Sequence, residues 1–238
     1  MKIRVIIPIA RPEVEQAVRE EIESALAPDC EISLVSLTTG TTSIESRYAE
    51  VLNIPDMIRL AKNAEEEKMD GILIDCLSGA VPVIREVVAI PLIGAFEAAV
   101  FTAAMVADRF TIVTLLERVV PMLRTMAREI GVTERLASIR TIGIPVLELG
   151  DIKRLESSLV EQSIRAIEED GAEAIVLGCT GMLQVAQAAS ERLADRGYPV
   201  SVINPTTASI GMLELLIRNG LTHSRLTYHS ADDSVVRL

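Results

Sequence analysis

No tryptophan occurs in the chain, and three phenylalanines and three tyrosines are its only aromatics beside histidine. Aromatics at 3% beside a hydrophobic fraction of 49% leave a core built from Val, Ile, Leu, Ala and Met. Positive charge is short as well: 23 Lys and Arg stand against 34 Asp and Glu, a net −11. Without a basic stripe, the composition argues against nucleic acid and anionic membrane surfaces as partners, and it says little about a small-molecule substrate, since a pocket can be locally basic inside an acidic protein. No apolar run approaches the roughly 20 residues that span a bilayer. The apolar start, Val5 to Ala10, is short and lacks a cleavage pattern, so a cytoplasmic address is expected. Three cysteines are too few for a disulfide framework. His223 and His229 lie in the tail without partners at ligand spacing, so no metal site is expected. No Gly-x-Gly-x-x-Gly follows the first strand, which argues against a phosphate loop.

What is present is alternation. Short β-branched runs are predicted as strands near Ile3–Ile9, Glu31–Leu37, Gly71–Asp75, Pro91–Gly94, Phe110–Leu115, Ser138–Ile142, Ala174–Gly178 and Val200–Ile203. Amphipathic segments between them predict helices over Pro12–Leu26, Ile54–Glu67, Glu117–Ile130, Ile152–Asp170, Leu183–Arg196 and Thr206–Asn219. An Ala-rich segment, Gly94–Ala107, reads as a close-packing helix. Near-continuous apolar strands alternating with helices indicate α/β architecture with parallel sheets covered on both faces.

The chain also echoes itself. Gly71-Ile72-Leu73-Ile74-Asp75-Cys76-Leu77-Ser78-Gly79 resembles Ala174-Ile175-Val176-Leu177-Gly178-Cys179-Thr180-Gly181. Each is a buried strand, then a cysteine, then a hydroxyl residue with glycine nearby, and each strand is third in a run of four. The repetition predicts two similar pseudo-symmetric lobes, each with a mostly parallel four-stranded sheet, and a site in the cleft between them. Residues 1–97 with 208–238 are assigned to the first lobe and 98–207 to the second.

Cysteine at the carboxyl end of a parallel strand sits where ligands bind in open α/β sheets. Unpaired backbone N–H groups there favour thiolate, so lowered thiol pKa values are expected. Ser78 and Gly79 after Cys76, and Thr180 and Gly181 after Cys179, offer donors for an oxyanion or carboxylate. Facing each other, Cys76 and Cys179 suit stereoinversion: one removes a proton from one face of a carbon and the other returns one to the opposite face. The plainer alternative is that each is a small buried core residue, which is how Cys30 reads, lacking any partner motif. Asp75 admits two readings. Its carboxylate caps a neighbouring helix or loop, or it stands beside Cys76 and raises that thiol, which would make Cys76 the resting acid and Cys179 the resting base. Glu97 reads equally as a helix N-terminal carboxylate and as a cleft residue.

Three stretches carry a resemblance: Gly178-Cys179-Thr180-Gly181-Met182, Gly40-Thr41-Thr42-Ser43-Ile44-Glu45-Ser46 with Tyr48, and Ile144-Pro145-Val146-Leu147-Glu148-Leu149. Together they resemble the aspartate/glutamate racemase superfamily, and within it the hydantoin and allantoin racemase branch. The resemblance implies catalytic cysteines at Cys76 and Cys179, no cofactor, no metal, a homo-oligomer, and Thr114 at a position near the cleft. It implies an isomerase acting at a carbon next to a carbonyl, in a 5-substituted hydantoin or allantoin. An aspartate- or glutamate-type racemase, a maleate isomerase-like enzyme and an inactive two-lobed binding protein stand as alternatives. Two departures mark the first lobe. Ile7-Pro8-Ile9-Ala10-Arg11-Pro12 replaces the branch's Asn-Pro-Asn-Thr stretch, and Leu77-Ser78-Gly79-Ala80-Val81-Pro82 lacks its Asp-Pro-Gly.

Overall fold

The structure, a computed structural model, describes residues 1–231. The first sheet holds β1 (Lys2–Ile7), β2 (Glu31–Ser36), β3 (Gly71–Ile74) and β4 (Leu92–Gly94) in the order β2-β1-β3-β4, all parallel. The second holds β5 (Phe110–Thr114), β6 (Leu136–Thr141), β7 (Ala174–Leu177) and β8 (Ser201–Ile203) in the order β6-β5-β7-β8, again all parallel. The two sheets share one topology, as the repeat predicts. Every residue of β3 and β7 is buried, which is why both read as unbroken apolar runs: each lies inside its sheet with helices on both faces.

The helices are α1 (Glu15–Glu23), α2 (Arg47–Glu66), α3 (Val81–Val87), α4 (Ala95–Val106), α5 (Val120–Glu129), α6 (Ile152–Asp170), α7 (Ala186–Ala194) and α8 (Pro205–Arg218). Two of them cross between the lobes. α4 follows the first sheet, yet its Ala95, Phe96, Ala99 and Ala103 pack into a core with Phe110 and Ile112 of the second. α8 follows the second sheet and returns Ile210 and Leu213 to Ile3, Val5 and Leu73 of the first. The small alanine face lets α4 and α8 lie against each other at the boundary.

Three helices show the largest departures from the sequence expectation. α2 begins at Arg47 rather than Ile54, because Ser46 caps it by accepting from the Ala49 N–H at 3.1 Å. Pro55 therefore sits inside the helix rather than near its start. α3 has no sequence-predicted counterpart; Pro82 in its first turn pre-sets the helical φ. α7 starts only at Ala186 because Gln184 takes φ +59°, a left-handed conformation that no helix interior accepts.

Candidate active site

The sheet register makes the cysteine loops equivalent. The Asp75 N–H donates to the Ile6 carbonyl at 2.9 Å, and the Gly178 N–H to the Val113 carbonyl at 2.8 Å. Asp75 thus corresponds to Gly178, Cys76 to Cys179 and Ile7 to Thr114. Each cysteine is the second residue past its strand, where the chain turns out of the sheet.

The loops interlock across the cleft. Leu77 buries its side chain among Val119, Met122 and Leu123 of the second lobe. Its counterpart Thr180 reaches the other way, its hydroxyl donating to the Asp75 carbonyl at 3.0 Å. Cys76 and Cys179 both line one cavity of about 430 Å³, a size suited to a small molecule. Its walls are mostly apolar, with Ile9, Val14, Val18, Leu147, Ile152 and Leu183 among them. Polar groups come from Asp75, Ser43, Thr180 and Arg11, the last paired to Glu13 at 2.8 Å.

The electrostatics correct one expectation. Neither thiol is lowered. Burial pushes Cys179 up to about 11. Cys76 is raised well above its ordinary value by burial first, then by the charges of Cys179, Glu50 and Asp75. The expected donors are there: the Gly181 N–H lies 3.3 Å from the Cys179 sulfur. In an apolar cavity, however, desolvation of the thiolate outweighs one or two backbone dipoles. Cys30 is raised to about 11 as well, by burial and by Glu214, in the core as expected.

The other predicted residues divide. Thr180 and Gly181 line the cavity, and the backbone N–H groups of Cys179 and Thr180 make no hydrogen bond among the described residues. Thr114 lies on a small apolar recess that also touches both cysteines; its hydroxyl donates to the Gly178 carbonyl at 3.0 Å. Ser78 and Gly79 face a different partner. The buried Glu50 accepts from the Ser78 hydroxyl at 2.8 Å and the Gly79 N–H at 2.7 Å. The donors expected to be open there are filled from within the protein. Glu97 pairs with Arg85 at 2.5 Å and joins α4 to α3.

Sequence reasoning missed α2's polar stripe. Its buried face carries Glu50, Asn53 and Asp56 ahead of Met57, Leu60 and Ala61. Asn53 donates to the Pro8 carbonyl at 2.9 Å and accepts from the Thr41 N–H at 2.8 Å. Asp56 accepts from the Thr38 N–H at 2.7 Å. One helix therefore pins three first-lobe loops around the cavity. The signal was legible as polar residues at helical spacing in register with apolar ones, since buried polar groups must be hydrogen-bonded. Glu45 was missed too: it accepts from the Val146 N–H at 3.0 Å and pairs with Arg118, tying the Gly40–Ser46 loop to the second lobe. Among the described residues no group of three His, Cys, Asp or Glu side chains gathers as a metal site, and no helix is long and apolar enough to cross a membrane.

Comparison with known proteins completes the description. The model of a family described as Asp/Glu/Hydantoin racemase matches residues 3–213. A hydantoin racemase of Pseudomonas sp. (strain NS671) is 36% identical over 228 residues, 95% of this chain and 90% of that protein. The solved allantoin racemase of Klebsiella pneumoniae superposes with a TM-score of 0.92 at 32% identity, covering 100% of this chain and 96% of that one. The allantoin racemase of Pseudomonas fluorescens superposes with a TM-score of 0.91 at 27% identity, with 97% of each chain covered.

Proposed function

We propose, from the premise that this chain belongs to the Asp/Glu/hydantoin racemase family and is an isomerase, that it inverts the carbon next to a carbonyl in a 5-substituted cyclic ureide, a hydantoin or allantoin. The carrying observation is the placement of Cys76 and Cys179 at equivalent strand ends on one cavity. The relatives named hydantoin and allantoin racemase support the substrate class. So does the cavity wall: among the described residues Arg11 is the one Lys or Arg lining it, too few for the two carboxylates of an acidic amino acid, whereas an apolar wall suits a ureide's 5-substituent.

In the proposed reaction the Cys179 thiolate takes the proton from the substrate carbon. The electron pair moves onto the adjacent carbonyl, and the free N–H groups of Cys179 and Thr180 receive the developing oxyanion. Cys76 then donates its thiol proton to the opposite face. The enantiomer forms, Cys179 ends as thiol and Cys76 as thiolate, and the reverse reaction starts from that state. Cys179 serves as the readier base because a backbone N–H faces its sulfur, while Cys76 is surrounded by negative groups.

The test is loss of optical rotation and deuterium uptake at the 5-position in heavy water, with allantoin and 5-substituted hydantoins. Cys76→Ser and Cys179→Ser should each abolish racemisation, by about 10²–10⁴-fold or more. Exchange that is undiminished in both variants overturns the two-thiol reading. Absence of exchange in the unmodified protein with every ureide overturns the substrate class.

A further inference from the structure

The first lobe places a carboxylate where the second lobe has none. Asp75 is 3% exposed and lines the cavity beside Cys76. Its Oδ1 accepts from the Thr206 hydroxyl at 2.7 Å, in the first turn of α8. Its Oδ2 has no hydrogen-bond partner among the described residues. Oδ2 is not sealed either: among the described residues, the only fully enclosed side-chain N or O lacking a partner is the Arg4 Nε. The free oxygen therefore opens on the cavity that Asp75 lines. At the equivalent position in the second lobe, an added Cβ would lie 2.5 Å from the Thr114 Cβ and 2.7 Å from its Cα, so glycine is required and no side chain enters.

A buried carboxylate with one free oxygen accepts hydrogen bonds and repels anions. We infer that Asp75 is a substrate-binding residue whose Oδ2 accepts the ring N–H that adjoins the inverted carbon. The assignment rests on the ureide reading above and sharpens it, because it demands an N–H donor at that place and disfavours a dicarboxylate substrate. The location follows from the cavity: Asp75 and Cys76 are consecutive residues lining the same space, so a carboxylate there is placed to meet an atom adjoining the carbon that the Cys76 sulfur serves. In hydantoin-type ureides that atom is the N1 nitrogen. On the first-lobe wall, where Ile7 to Arg11 stand in place of the Asn-Pro-Asn-Thr amides, Asp75 is the carboxylate beside Arg11 and Ser43. Burial, opposed by the Thr206 hydrogen bond, raises Asp75 to about 6, with Glu21 of α1 adding to the rise. At neutral pH it is then mostly an acceptor.

The probe is 5,5-dimethylhydantoin, which has both ring N–H groups but no hydrogen at the 5-position, so its binding is separate from catalysis. Its affinity, and those of its N1-methyl and N3-methyl derivatives, are measured by calorimetry on the unmodified protein, Asp75→Ala and Asp75→Asn. Asparagine keeps an acceptor for Thr206, preserving the fold, and turns an NH₂ group to the cavity. N1-methylation should weaken binding to the unmodified protein by about tenfold to a hundredfold, and N3-methylation by less. Both variants should bind the parent hydantoin about tenfold or more weakly and no longer distinguish it from its N1-methyl derivative. Affinity within twofold in both variants, discrimination that persists in them, or no binding of any probe to the unmodified protein each overturns the inference. Exchange at the 5-position of racemisable hydantoins tests the proposed function separately. Exchange without an Asp75 effect leaves that function standing and removes this residue's role, and Asp75-dependent binding without exchange does the reverse.

Discussion

Two loops with the same place in the same topology carry different surroundings. After β7, Cys179 follows a glycine, has a backbone N–H aimed at its sulfur, and is followed by two residues that line the cavity. After β3, Cys76 follows a carboxylate, and the donors beyond it are held by the buried Glu50. Duplicated topology supplies two thiols at equivalent strand ends on one cavity. In the proposed mechanism the neighbours set which thiol gives up its proton first.

The comparison can be broken or sharpened in order of expected effect. The largest belongs to the cysteines, whose serine variants should each lose about 10²–10⁴-fold of racemisation. If only one variant does, the pair is not a pair.

Asp75→Asn comes next, read as stability against pH. Asp75 rises from 3.8 to about 6 on folding, so the folded state binds a proton that the unfolded state releases. The unmodified protein should therefore lose stability as pH climbs from about 4 to 6. The asparagine variant escapes that loss, gaining up to about 3 kcal/mol at pH 7–8 and nothing near pH 4. Thermal melts across that range check it, and a gain independent of pH would contradict the buried charge.

Gly178→Ala and Gly79→Ala set the lobes side by side. At Gly178 the new Cβ meets Thr114 side chain and backbone at 2.5–2.7 Å, whereas at Gly79 the nearest atom is a Glu50 oxygen at 3.5 Å. The first should cost about 1–3 kcal/mol in stability by overpacking and displace Cys179. The second should stay within about 0.5 kcal/mol. Equal costs in denaturant titrations would deny the close approach of β5 to the Cys179 turn.

The smallest effect is Glu50→Gln. The amide oxygen can still accept from Ser78 and Gly79, but a negative charge near Cys76 is gone. The Cys76 thiol pKa should fall. Its alkylation at pH 8–9, followed by mass spectrometry of each cysteine, should quicken several-fold while Cys179 stays unchanged. Equal acceleration at both would place the charge elsewhere.

Much of the fold was legible in the residues. All eight strands fall within or beside their predicted spans, because buried parallel strands leave unbroken apolar runs. The equivalence of Cys76 and Cys179 was legible because each follows such a run at the same point of a four-strand unit. Helix boundaries were less so, since the Ser46 cap and the left-handed Gln184 are decided by local geometry that alternation does not encode.

By itself, then, the sequence determined two parallel sheets, their repetition, and the strand ends on which two cysteines sit. These follow from local periodicity and from glycine where no Cβ fits. Tertiary structure alone decided the chemistry around the sulfurs. Glu50 reaches Ser78 from 28 residues away and Thr206 reaches Asp75 from 131. The thiols expected to be lowered are raised because burial among apolar side chains removes the water that would solvate a thiolate. Burial is a property of what the chain brings together, and only the folded packing sets it.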